Sequence, residues 1–151
     1  MRVTTWQTLL ALVLVVGAVS YAGLSVLESR SGTVVPVPSL MWAGIGVIAV
    51  VVVLLGRSVR RLTEGKGTRM DALRAARVAM LAKASALSGA AFAGYFGAQL
   101  LIAWANLGAP ALREHAVAAG AAALAGAVLA AAGVVVEHWC RLPPEDDPDP
   151  A

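Results

Sequence analysis

Residues 57–77 carry seven basic side chains (Arg57, Arg60, Arg61, Lys66, Arg69, Arg74, Arg77) against two acids (Glu64, Asp71), and an apolar stretch of membrane-spanning length lies on either side. Lys and Arg accumulate on the cytoplasmic side of membrane proteins, so a segment of net charge +5 between two spanning helices anchors the inner ends of both. The pattern predicts an all-α membrane protein. Composition agrees: 59% of the 151 residues are hydrophobic and 14% are charged, whereas roughly a quarter of residues are charged in an ordinary soluble domain. The overall charge of +3 would suggest nucleic acid if spread over a soluble surface. Beside membrane helices it fits anionic lipid headgroups at the basic segment, and no nucleic-acid partner is expected.

Apolar runs near the roughly 20 residues needed to cross the hydrocarbon occur four times, at about 6–27, 39–56, 78–107 and 116–136. These make one domain, 1–144, a four-helix transmembrane bundle with the basic loop 57–77 at its inner side. Ser20-Tyr21-Ala22 resembles a signal-peptide cleavage site, but the apolar run continues to Leu27, past the usual length of an h-region, so an uncleaved helix is expected. Pro36 and Pro38 punctuate the first outer loop, with Ser39 placed as a helix N-cap. Gly65-Lys66-Gly67 breaks the chain within the basic loop, and Thr68 with Asp71 matches a capping box, so helix three is expected to begin outside the bilayer. Ten of the twelve basic residues then fall on one side, leaving Arg30 and Arg113 for the other. Both termini are expected to be cytoplasmic, in a multi-pass protein of the cell membrane. The acidic, proline-broken tail 145–151 is expected to be disordered.

Helix three places Ser85, Gly89, Ala93 and Gly97 at spacing four, with Gly94 in the adjoining row. Small residues so spaced allow close helix approach, which is how helices associate in lipid. The partner can be a helix of the same chain or a second copy. Helix four is alanine at eleven of the seventeen positions 116–132, a thin segment suited to that small face. Alanine-rich coding bias is the plainer reading of the same run.

Lys83 and Glu137, counted from the middle of the outer loop, fall at similar depth and are expected to form a structural ion pair. A proton or substrate relay is the competing reading, because ionisable groups in membrane segments often mark pathways. Glu137, His138 and Cys140 are the nearest approach to a chemical cluster. A thiol nucleophile needs its base within hydrogen-bond reach, and residues two apart on a helix face away from each other. A zinc site needs more ligands than these, and His115 belongs to the other side of the membrane. Cys140 is the only cysteine, so an internal disulfide is excluded. Neither catalytic nor metal nor cofactor residues are therefore expected. Gln99, within the third span, should hydrogen-bond across to a neighbouring helix.

The run Arg77-Val78-Ala79-Met80-Leu81-Ala82-Lys83-Ala84-Ser85, then Gly89 and Gly94-Tyr95-Phe96-Gly97, and the ending Glu137-His138-Trp139-Cys140-Arg141-Leu142-Pro143-Pro144 resemble a family of small actinobacterial membrane proteins, domain of unknown function 3180. The resemblance implies four spanning helices and a gene context beside folate biosynthesis, and it carries no catalytic or binding residues to this chain. The expected role is a non-enzymatic packing or scaffolding subunit for membrane-protein partners or a homo-oligomer. A small transport component is the alternative, and a membrane-interface thiol or zinc enzyme the third reading.

Overall fold

The structure is a computed structural model and describes residues 5–31, 36–38, 40–63, 69–105, 108 and 110–139. Four helices account for nearly all of them: α1 (Trp6–Ser31), α2 (Met41–Thr63), α3 (Arg69–Trp104) and α4 (Pro110–Trp139). Each is long and apolar enough to cross a membrane. Helices are the form an isolated chain segment can take in lipid, because every backbone donor and acceptor is then satisfied within the segment. The few hydroxyls on the helix surfaces follow the same logic. Ser58 Oγ donates to the Leu54 carbonyl at 3.0 Å and Ser29 Oγ to the Val26 carbonyl at 2.9 Å.

Helix ends depart from the expected spans. At the start of α1, Thr5 supplies the cap, its Oγ1 accepting from the Thr8 N–H at 3.4 Å and its carbonyl from the same N–H at 3.0 Å. The expected basic loop 57–77 is largely helical, since α2 continues to Thr63 and α3 already begins at Arg69. Nothing in a run of Arg, Ser, Val and Leu breaks a helix once it has left the hydrocarbon. The 36 residues of α3 span about 54 Å at 1.5 Å each, far more than a bilayer core of about 30 Å, and the apolar stretch long enough to cross one begins only at Ala76. Thr68 of the expected capping box, the Gly65-Lys66-Gly67 break and the acidic tail lie outside the described residues.

The four helices do not form a ring. α3 and α4 share the largest interface, α1 lies against α3, and α2 lies against α4 with a smaller contact to α3. The order across the layer is therefore α1, α3, α4, α2. Burial follows this order: 44% of the α3 span is buried and only 6% of the α1 span. α1 and α3 run parallel, because Leu9 clusters with Ala86 and Ala90 while Gly17 lies at Gly94. α2 and α4 run parallel too, with Ile45 in the cluster of Ala122 and Leu129, and Gly56 against Val136. An alternating up-and-down path results, as four successive membrane crossings require.

Candidate functional site

The α3–α4 seam is built from residues without side-chain bulk. A Cβ at Gly89 would lie 2.5 Å from the Ala130 nitrogen and 2.7 Å from the Gly126 oxygen. One at Gly126 would lie 2.8 Å from the Ala93 nitrogen, and one at Gly133 2.6 Å from both the Ala82 oxygen and the Ala86 nitrogen. Backbone faces backbone along the whole seam. The α3 positions 82, 86, 89 and 93 alternate steps of four and three, the repeat that keeps one face turned to an antiparallel neighbour over several turns. Ala82, Ala86, Ala119 and Ala122 are fully buried in consequence. In lipid, where no water is released by association, contact at this range supplies the attraction.

Of the small residues singled out from sequence, Gly89 and Ala93 face α4, and Ser85 is buried at 7% exposure. Gly94 turns the other way, its Cβ position 2.6 Å from the Val13 oxygen and 3.1 Å from the Gly17 nitrogen of α1. Gly97 differs: among the described residues nothing lies within 4 Å of its Cβ position. One turn beyond the Gly17–Gly94 contact, a groove of about 590 Å³ opens between α1 and α3. Its walls include Gly17, Ala18 and Tyr21 on one side and Gly97, Ala98 and Leu101 on the other. Sequence reading missed Gly17, Gly56, Gly126 and Gly133 as contact residues. Spacing of small residues in α3 pointed to a partner, but only the register of the two helices says which glycines meet it.

Gly133 sits opposite Ala82 and Ala86 and Glu137 follows one turn later, which puts Glu137 about one turn from the level of Lys83 on the seam. Both side chains are half-buried and Glu137 Oε2 is enclosed.

Gln99 does not meet its expectation. It is 3% exposed, and among the described residues neither Nε2 nor Oε1 has a hydrogen-bond partner. The neighbouring stretch of α4 is alanine at 116, 118 and 119 and glycine at 120, which leaves no side-chain donor or acceptor to reach it. His115 is half-buried at the start of α4, and Cys140 lies outside the described residues. Among the described residues no three His, Cys, Asp or Glu side chains gather as metal ligands.

At the opposite end, α2 and α4 are joined by a contact that composition could not reveal. The Arg60 guanidinium carbon stands 5.5 Å from the centroid of the Trp139 ring. Trp139 itself packs on the cluster of Val52, Val59, Ala82 and Val136, so the ring is held and the guanidinium has a fixed face to cover.

Four alternating, membrane-long helices around a glycine and alanine seam define a small polytopic helical membrane protein. The chain belongs to the family described as Protein of unknown function (DUF3180), which it matches over residues 9–144. No curated protein and no solved structure matches the chain.

Proposed function

We propose that the protein is a non-enzymatic packing subunit of the cytoplasmic membrane, and that the groove between α1 and α3 receives a transmembrane helix of a partner membrane protein. The observation that carries this reading is Gly97. It continues the small-residue face of α3 beyond the Gly17–Gly94 contact, yet among the described residues nothing lies within 4 Å of its Cβ position. Close-packing residues serve helix association in lipid, and here both walls of the groove present them. The surrounding surface is apolar and open, with Leu14 69% and Leu101 65% exposed.

The test uses two glycines with opposite surroundings. A Cβ at Gly97 meets nothing within 4 Å among the described residues and the groove before it is open, so the melting temperature of Gly97→Leu in detergent is expected to equal that of the wild type. A photo-reactive residue at Leu101 is expected to give a discrete protein adduct in native membranes, lost in the Gly97→Leu background. An adduct of twice the monomer mass would replace the partner by a second copy. Adducts with lipid alone would sink the reading.

One observation favours a transport component as a second reading. Gln99 is a buried, unpartnered polar group within a span, and such groups often belong to solute pathways. The groove and the open Gly97 favour the packing role.

The orientation belongs to the same proposal. Both termini and the basic 57–77 segment are placed on the cytosolic side by the excess of Lys and Arg there. Cys140 reports on this as the sole thiol. A membrane-impermeant maleimide is expected to leave intact cells unlabelled and to label them after permeabilisation, whereas labelling of intact cells would invert the topology.

A further inference from the structure

We infer that the groove between the starts of α2 and α4 is a docking site for a phospholipid whose headgroup carries both a phosphate and a primary ammonium. The groove encloses about 430 Å³ and is lined by Trp42 of α2 and by Arg113, Glu114, Val117, Ala118 and Ala121 of α4. It is separate from the groove between α1 and α3, because α2 and α1 lie on opposite flanks of the α3–α4 pair.

The mouth of the groove carries one charge of each sign. Arg113 and Glu114 are both exposed, and among the described residues neither side chain has a hydrogen bond or an ion pair. Consecutive helical residues project about 100° apart, so these two side chains diverge instead of meeting each other. A phosphate accepts from the guanidinium, while a primary ammonium donates to the carboxylate. A headgroup with both groups satisfies the pair at once. A headgroup with a phosphate alone brings a second negative charge up to Glu114, and a choline nitrogen, fully methylated, has no N–H to donate.

Depth fits the same ligand. Tryptophan concentrates where hydrocarbon gives way to headgroups, and Trp42 shares the groove with Ala118 and Ala121. Arg113 and Glu114 lie a turn nearer the helix start than Ala118, roughly 6 to 8 Å at 1.5 Å per residue, which is the direction of the lipid phosphates. Below the charges the wall is apolar. Residues 114, 118 and 121 follow one face of α4 at steps of four and three, so the strip descends directly from the carboxylate. Alanine keeps that strip low, and Val117 at its rim is 69% exposed. An acyl chain descending from a phosphate at Arg113 runs along it. A water-soluble amino phosphate would use the two charges and leave the strip uncovered, whereas a phospholipid uses both.

A photo-reactive residue in place of Val117 supplies a readout confined to this site. The full chain is reconstituted in vesicles of phosphatidylethanolamine, phosphatidylcholine and phosphatidylglycerol in equal amounts and irradiated, and the adduct is identified by its mass. One charged contact at a membrane surface changes the local equilibrium by about fivefold, so the ethanolamine lipid is expected at several times the yield of either of the others. Glu114→Gln leaves the mouth net positive and should transfer the preference to phosphatidylglycerol. Arg113→Gln removes the phosphate contact and should bring the ethanolamine yield down several-fold. Circular dichroism of both variants should match the wild type, because both side chains are exposed. Equal yields of the three lipids with Arg113 and Glu114 in place, or a preference for phosphatidylglycerol there, would overturn the inference. An adduct with protein would overturn it in favour of a partner helix, and an ethanolamine preference unchanged in both variants would remove Arg113 and Glu114 from the site.

Discussion

Gly89→Leu and Gly133→Leu are each expected to separate α3 from α4 and to leave little folded protein in detergent. The space a side chain would need is held by backbone: the Ala130 nitrogen lies 2.5 Å from the Gly89 Cβ position, and the Ala82 oxygen and Ala86 nitrogen each lie 2.6 Å from that of Gly133. A flexible side chain could rotate aside, but a helix backbone can move only as a body. Overpacking commonly costs about 1 to 3 kcal/mol, and these positions should reach or exceed the upper end because no rotamer change relieves them. Thermal scans in a mild detergent, with Gly97→Leu as the matched control, test this. Wild-type melting of Gly89→Leu would mean that α3 and α4 do not meet in this register.

Gln99→Met is expected to act in the opposite direction. The substitution keeps the length of the side chain and removes two buried polar atoms that have no partner. An unsatisfied buried group costs about 1 to 3 kcal/mol, and the carboxamide presents a donor and an acceptor at once. A gain of that order in a denaturation titration is the expected result. A clear loss of stability would instead show that a water or a solute satisfies Gln99 in the membrane, and would strengthen the transport reading over the packing one.

Much of the helical content was legible in the sequence. Four apolar runs, the first three separated by Pro36, Pro38 and the basic segment, leave little freedom once the solvent is lipid, because a span that is not helical cannot satisfy its backbone. The ends were less legible. Residues 57–63 read as a loop by charge, yet arginine and leucine are good helix formers and α2 continues through them, whereas α3 begins at Arg69, outside the apolar run as the capping signal implied. The family resemblance rested on two motifs and extends to residues 9–144. The packing face was half legible. Spacing joined under one heading two faces that meet different helices, Gly89 and Ala93 facing α4 and Gly94 facing α1, together with Gly97, whose Cβ position has nothing within 4 Å among the described residues.

Gln99 shows where pattern reading stops. A glutamine in a span should find a partner, and the rule is sound because an isolated amide in hydrocarbon is costly. Whether a partner is present depends on what the neighbouring helix carries at that level, and α4 offers alanine and glycine there. The Arg60 and Trp139 contact is the same kind of fact, since the two residues are far apart in sequence and meet only because Gly56 admits Val136 beside it.

The sequence by itself determined the solvent, the number of helices and the residues able to approach closely, because each depends on local composition and on the length of apolar runs. Tertiary structure alone decided which helix each small face meets, that α1 lies outermost against α3, and that Gly97 and Gln99 are left without the contacts their types invite. Those outcomes depend on the register and order of helices, and in lipid these are set by the fit of one surface on another rather than by any residue's preference for the interior.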